Sequence, residues 1–283
     1  MTLKILHVSD IHIRKLKYHT EYREVFAQLY EKAAAEKPDI ILNTGDTFHT
    51  KTDLSSEAVQ MMSELFSNLA DIAPFHMILG NHDMNLRSLG RLDAISPVVD
   101  NLNHPNIHFH KYSDVISLTK DIDMHILSIV DPDNWTKTPN KKKTNIAVYH
   151  GSVKGVKTDM GWAMEHGDID ISELNKYDFA LLGDIHKTNQ MVNSNPRFRY
   201  PGSLVQQNHG ETNDKGFIVW EIENKDTYSV RHCVLENPKP FVTIILTKTG
   251  RLPKNASVSD GARLRIVSNT NISLDAMRRS VDV

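Results

Sequence analysis

The chain has 283 residues, 40% hydrophobic and 24% charged, which suits one large α/β domain with a small appendage. Its 33 Lys+Arg against 35 Asp+Glu leave a formal charge of -2, which argues against capture of nucleic acid by overall charge and leaves room for a local basic patch. A single cysteine, Cys233, excludes an intramolecular disulfide and fits a reducing compartment.

Residues 3–9 are a short apolar run, the first expected strand, and Asp10-Ile11-His12 follows at once. The run is too short, and too soon broken by His7 and Asp10, for a signal peptide; no stretch reaches membrane-spanning length, so the expected location is the cytoplasm. Residues 22–36 place Val25, Phe26, Leu29, Tyr30 and Ala33 at helical spacing and stop before Pro38. Residues 39–43 form a second strand ending in Gly45-Asp46. Residues 55–70 form a second helix, with Ser55 or Ser56 as N-cap and Val59, Met62, Leu65, Phe66 and Leu69 as its inner stripe. A third strand, 75–79, closes with Gly80-Asn81-His82-Asp83. This alternation predicts mostly parallel pairing with right-handed crossovers.

From 107 to 130 the pattern changes to short strands with polar turns, as in an antiparallel meander. Residues 145–149 and 179–182 are strands of the buried type, ending in His150-Gly151 and Gly183-Asp184-Ile185-His186. Tyr200-Pro201-Gly202-Ser203 reads as a turn, and 216–222 with 228–235 as a hairpin around Asn224-Lys225-Asp226. Asn237-Pro238-Lys239-Pro240 reads as a linker. It divides residues 1–236 from a tail, 237–283, with strands at 241–248 and 263–267 and the start of a helix at 274–279. That tail is too short for a sizeable core of its own.

Five apolar strands thus hand over to loops that open with Asp, His or Asn: Asp10/His12, Asp46, Asn81/His82, His150 and Asp184/His186. In an open α/β sheet the carboxyl ends of the strands converge on one crevice, so residues distant in sequence meet at one rim. Oxygen and imidazole donors without a thiolate suit Mn²⁺, Fe²⁺ or Mg²⁺ better than structural zinc. Two ions about 3.5–4 Å apart can clamp the attacking and leaving oxygens of an in-line phosphoryl displacement. Taken singly, Asp10-x-His12 reads more often as a capping or turn pair and Gly45-Asp46 as a common turn. Gly80-Asn81-His82-Asp83 is the specific element, and the five in order carry the reading.

The order and wording of these motifs resemble the calcineurin-like metallophosphoesterases over roughly residues 3–222: D-x-H, GD, GNHD, a lone His, then G-x-x-H. Within that superfamily the chain is similar to SbcD-type nuclease subunits, relatives of the Mre-type double-strand-break repair nucleases, and to phage recombination nucleases. The likeness rests on Gly45-Asp46-Thr47-Phe48-His49, on Tyr200-Pro201-Gly202-Ser203 followed by Gly210-Glu211, and on Lys215-Gly216-Phe217.

The resemblance implies an α/β fold, a four-layer α/β/β/α sandwich with a short, partial capping region at the C-terminus. It implies one ion held by Asp10, His12, Asp46 and His186, and a second by Asp46, Asn81, His150 and Asp184, with Asp46 bridging. His82 would be the proton donor to the leaving oxygen, and His49 would orient or stabilise the transition state. The implied activity is Mn²⁺-dependent 3′-to-5′ exonuclease and endonuclease cleavage of DNA in repair, recombination or replication. The implied partners are DNA, an SbcC-type ATPase and a second copy of the chain; a phage-encoded member would work in the host cytoplasm. Many members carry His where this chain has Asp184, a departure that adds negative charge and leaves the metal preference open.

Arg14, Lys154 and Ser203 are candidate substrate contacts, with a solvated loop as the other reading of Arg14. Residues 151–166, with Lys154, Lys157 and Trp162, are the expected substrate-facing loop. His108 and His110, two apart on a strand, could chelate a metal but read first as strand surface. Trp135, Trp162 and Trp220 read as core or loop anchors, Cys233 as a small buried hydrophobe, and Lys141-Lys142-Lys143 as a solvated turn. Rival functions are a phosphoesterase acting on small nucleotides or phosphoproteins, and a non-catalytic scaffold for the ATPase. The first is disfavoured by the presence of His49 and the Tyr200–Ser203 segment and the absence of a VDRG sequence. The second is disfavoured by the presence of Asp46 and His82.

Overall fold

The computed structural model describes residues 2–279. In chain order the elements are β1 (Leu3–Val8), α1 (His19–Glu36), β2 (Ile40–Asn43), α2 (Ser56–Ile72), β3 (Phe75–Ile78), α3 (Ser96–Leu102) and β4 (Ile107–His110). Then come β5 (Asp114–Ser117), β6 (Ile122–Leu127), β7 (Thr144–His150), β8 (Phe179–Gly183), β9 (Gln190–Val192) and β10 (Asn195–Tyr200). The last described elements are β11 (Gly216–Ile222), β12 (Tyr228–Val234), β13 (Phe241–Ile245), β14 (Arg263–Val267) and α4 (Leu274–Arg279).

Two six-stranded mixed sheets form the body, in the orders β12-β11-β1-β2-β3-β4 and β5-β6-β7-β8-β10-β9. In the first, β1 to β4 run parallel and β11 joins β1 antiparallel. In the second, β6, β7, β8 and β10 run parallel, and both edge strands are antiparallel. β1, β2, β3, β7 and β8 therefore deliver their carboxyl ends to one side, as the sequence pattern requires.

Three apolar layers hold this arrangement. One face of the first sheet (Leu6, Val8, Ile41, Phe75, Met77) packs on α1 and α2 through Phe26, Leu29, Leu65 and Phe66. The faces between the sheets bury Ile5, Leu42, Ile146, Val148, Leu181 and Trp220. The outer face of the second sheet buries Tyr149, Leu182, Phe198 and Tyr200. Its cover is the 151–178 segment with a single 3₁₀ turn, Ile171–Glu173, so this fourth layer is thin and mostly irregular. Each fully buried large apolar side chain contributes about 1.5–3 kcal/mol.

The helix ends follow local chemistry. Lys37 closes α1 in the left-handed conformation (φ 50°) just before Pro38. Ser55 caps α2, its hydroxyl accepting from Ala58 N at 3.2 Å.

The expected meander over 107–130 is corrected. β4 continues the first sheet parallel to β3, and only β5 and β6 form an antiparallel pair, in the second sheet. The alternation Ile107-His108-Phe109-His110 explains the split, because Ile107 and Phe109 extend the helix-side core. α3, β9 and β10 were not foreseen. The tail carries β13 and β14, paired parallel as a separate two-stranded sheet. It is joined to the body where Phe241 and Gln206 exchange two hydrogen bonds (2.8 and 3.0 Å) and Arg263 meets Glu21. No helix among the described residues is long and apolar enough to cross a membrane.

Candidate metal centre

At the carboxyl ends of the central strands the backbone turns sharply. Asp10 (φ 50°), His12 (φ 49°), Asp46 (φ 56°) and Asp184 (φ 100°) all occupy the left-handed region, which is costly for residues with a Cβ and clusters at functional sites. Glycines let these loops close on one another. A Cβ on Gly80 would strike the carboxylate and backbone of Asp46, and one on Gly183 would strike Thr44 O and Ser9 Oγ.

Asp46, buried, presents one oxygen to each half of the site. Its Oδ2 lies 3.6 Å from His12 Nε2, and its Oδ1 lies 3.4 Å from His150 Nε2. On the first side, His12 Nε2 and His186 Nε2 face each other at 3.0 Å, with Asp10 Oδ1 at 3.9 and 4.0 Å from them. On the second side, Asp184 Oδ1 lies 3.9 Å from His150 Nε2. Ligand atoms within 4.8 Å of one another define the groups Asp10/His12/His186, Asp10/Asp46/His150 and His12/His49/His82. Asp10 thus borders both halves. Asp184 stands outside these tight groups, and Asn81 lines the same cleft as His150.

The donor set fits divalent ions. His150 Nδ1 donates to Thr44 O at 2.7 Å, which fixes the tautomer and leaves Nε2 of the neutral ring as a lone pair facing Asp46 and Asp184. That nitrogen has no hydrogen-bond partner of normal geometry, nor has the buried Asn81 Oδ1. Lone pairs and carboxylates aimed at one point repel unless a cation lies among them. His186 repeats the pattern: its Nδ1 donates to Glu211 Oε1 at 2.9 Å and its Nε2 turns inward.

The ionisation of these groups reflects the same crowding. Burial raises the Asp184 carboxyl to about 6, with Asp10 and Asp46 adding to the rise. Asp46 also suffers burial, but His150, His12 and the His82 amide hold it low. Burial works against a charged His150, yet Asp46, Asp10 and Asp184 push its pKa up. For His12 burial prevails and the pKa falls.

His82 and His49 stand beside the first half. Their rings stack at 5.8 Å, and the His82 ring meets His12 edge-on at 4.9 Å. His82 Nδ1 donates to His49 O at 2.7 Å. The remaining candidate contacts are placed differently from one another. The Arg14 guanidinium lies over Tyr18 at 4.2 Å and donates to Gln207 O at 2.6 Å, with Nε and Nη2 shut away from solvent. Ser203 is buried and donates to Glu211 Oε2 at 3.1 Å. Lys154 is exposed.

Of the tryptophans, Trp220 is in the core and Trp135 donates to Ser128 O, as anchors. Trp162 differs: it is 65% exposed, close to Met160 at 75%, at the tip of a hairpin beside Asp184 and His186. Lys143 pairs with Asp123 at 2.7 Å rather than standing free. Cys233 is half-buried, its sulfur accepting from Arg231. His108 and His110 stack with His76 on the inter-sheet side of β3 and β4.

Sequence reasoning missed the supports of the site. Asp83 accepts from the amides of Thr47, Phe48 and Gly80 (2.9, 3.1 and 3.0 Å), tying the Asp46 loop to the Asn81 loop. Glu211 and Lys215 lie under His186. Asp83 closes the GNHD motif, so its position was signalled; the partners of Glu211 were not.

Comparison with known proteins agrees with this architecture. A model of the calcineurin-like phosphoesterase family matches residues 3–188. An uncharacterized protein, R555, of Acanthamoeba polyphaga mimivirus is 37% identical over 237 residues, covering 79% of this chain and 18% of that protein. The DNA double-strand break repair protein Mre11 of Saccharolobus solfataricus is 28% identical over 203 residues, covering 65% of this chain and 49% of that protein. The putative phosphoesterase 244L of Invertebrate iridescent virus 6 is 25% identical over 228 residues, covering 76% of this chain and 75% of that protein. The chain therefore spans under a fifth of the first relative and about half of the second. A family match over residues 3–188, together with the strand-end cluster it encloses, shows that the chain belongs to the calcineurin-like phosphoesterases.

Proposed function

We propose that the chain is a two-metal phosphodiesterase that hydrolyses DNA, an SbcD/Mre-type nuclease with Mn²⁺ as its native metal. The observation that carries the reading is Asp46, one oxygen turned to His12 and the other to His150, between two groups of inward-facing nitrogens and carboxylates. Asp10, His12, Asp46 and His186 would hold one ion, and Asp46, Asn81, His150 and Asp184 the other. Such a pair supplies charge neutralisation of the phosphodiester and acidifies water.

The chain's own residues do the rest. The His49 carbonyl holds His82 Nδ1–H, so the other nitrogen of a protonated His82 is free to give its proton to the departing oxygen as the P–O bond breaks. His49, stacked beside it, orients that ring. The hairpin with Trp162 and Met160 exposed at its tip offers a flat surface to an unstacked base, and Lys154 offers a phosphate contact. Ser203 serves the scaffold, its hydroxyl being engaged by Glu211, and so does Arg14, whose guanidinium is stacked on Tyr18, tied to Gln207 O and otherwise shut away from solvent. DNA as substrate is supported by the Mre11 relative and by the Gly45–His49 and Tyr200–Ser203 segments. An SbcC-type ATPase, a second copy of the chain and action in the cytoplasm follow from the same kinship, and residues 237–283 would form its partial cap.

End-labelled single- and double-stranded DNA, incubated with Mn²⁺, Mg²⁺ or chelator, tests this beside a His82→Ala variant. Cleavage is expected with Mn²⁺ only, and about 10²- to 10⁴-fold less by the variant. Hydrolysis of a small phosphodiester without cleavage of any DNA would refute the nuclease reading.

A further inference from the structure

Lys215 is the least expected charge in the molecule. Its side chain is 2% exposed, and the ammonium lies 3.0 Å from Asp159 Oδ2, 3.5 Å from Glu211 Oε2 and 2.7 Å from His186 O. Both carboxylates are themselves 6% exposed. Desolvating such a cluster costs several kcal/mol per ion, so a buried ion pair adds little net stability over an apolar replacement. What it fixes is geometry.

Each partner leads to a different part of the site. Glu211 accepts from His186 Nδ1, Ser203 Oγ and Gln207 N (2.9, 3.1 and 2.9 Å), so the carboxylate has no freedom to swing away from the imidazole. Asp159 belongs to the hairpin that bears Met160 and Trp162. That hairpin is closed by Thr158 N to Trp162 O and Gly161 N to Thr158 O, both 2.9 Å, and by the bridge of Lys157 with Ala163. The hairpin has few buried apolar anchors at its tip, and Asp159 is its charged tie to the body. Tyr200–Ser203, Gly210-Glu211 and Lys215-Gly216-Phe217, separate in sequence, meet in this one cluster.

We propose that Lys215 is a positioning residue that joins the first metal site to the hairpin of residues 157–163. Through Glu211 it holds His186 with Nε2 directed at the ion. Through Asp159 it pins the hairpin beside that ion. One lysine against two carboxylates leaves a negative charge next to the imidazole, which strengthens it as a ligand. The inference rests on the metal reading above and on nothing about the substrate.

Isothermal titration of the chelator-stripped full chain with Mn²⁺, and limited trypsin digestion followed at Lys154 and Lys157, test it. Wild type should take up two equivalents. Glu211→Gln should weaken one equivalent about 10- to 100-fold and leave the other within threefold. Asp159→Asn should leave both equivalents within threefold and speed cleavage at Lys157 about tenfold or more. Lys215→Met should do both; if it does not fold, the two isosteric carboxylate variants carry the test. Wild-type uptake of two ions with unchanged uptake by Glu211→Gln overturns the inference alone, as does a hairpin equally resistant in Asp159→Asn. No Mn²⁺ uptake by wild type overturns the metal reading and this inference together. Absence of DNA cleavage leaves it standing.

Discussion

The stack of His76, His108 and His110 makes a quantitative prediction about acid stability. These side chains lie on the inter-sheet side of β3 and β4, where the strand pattern would place apolar residues. His76 Nδ1 and His110 Nε2 share one hydrogen bond at 2.9 Å, and the His76 ring lies 4.6 and 5.2 Å from its two neighbours. Burial lowers His76 to about 3, with His110 and His108 adding to the fall. Burial likewise lowers His110 to about 4, His108 adding and Asp114 opposing. Both rings are thus neutral in the folded chain where an unfolded chain, at about 6.5, takes up protons. The stability they contribute is complete above pH 6.5 and is lost as pH falls toward 4 and 3. At about 1.4 kcal/mol per unit, moving from pH 7 to 5 costs about 2 kcal/mol for each ring, hence about 4 together. Urea unfolding in chelator at pH 7, 6 and 5 measures this, beside His76→Gln, which removes one titrating group. The variant should lose about half as much stability from this source over the interval. The same pH dependence in both proteins would show that the stacked histidines are protonated in the folded state, and the reasoning would be wrong.

Gly80→Ala should fold yet lose Mn²⁺ uptake, with cleavage down about 100-fold or more, because the new Cβ displaces the Asp46 carboxylate; titration and circular dichroism on one sample check both halves. Trp162→Ala should raise KM for single-stranded DNA about 5- to 150-fold, the range set by one base–aromatic stack of about 1–3 kcal/mol. Its hydrolysis of a small chromogenic diester should stay at the wild-type rate, and an equal loss on both substrates would place Trp162 in the scaffold instead.

The sequence exposed the site to the extent that its chemistry is local. Asp10/His12, Asp46, Asn81/His82 and Asp184/His186 are each written within a few residues of a strand end, and an open sheet brings strand ends together without further instruction. What is not local is not written in the sequence. For Trp162 the sequence offers both a loop anchor and a place in the substrate-facing loop, and only the fold shows the ring exposed. Ser203 and Arg14 carry groups that could touch a phosphate, and only tertiary packing turns them to Glu211 and Gln207. Lys215 and Asp159, 56 residues apart, have no spacing signal at all. In the fold, β4 followed the alternation of its apolar residues into the first sheet, whereas its polar neighbours suggested a meander.

The backbone at the centre is set against its own preferences, and that bears on what an ion has left to do. Four of the seven proposed ligands sit at positive φ, where each costs of order 1–3 kcal/mol. Three carboxylates, Asp10, Asp46 and Asp184, share the same crevice. Contacts that involve no ion hold these loops. Asp83 gathers three amides from two of them, Thr44 O receives the His150 ring, and the Asp184 amide donates to Asp10 at 3.1 Å. The ligand geometry is therefore imposed by the sheets and their loop ties, so that an entering ion relieves repulsion among groups already in place. Preorganisation of this kind lets electrostatic stabilisation act without reorganisation at the moment of reaction.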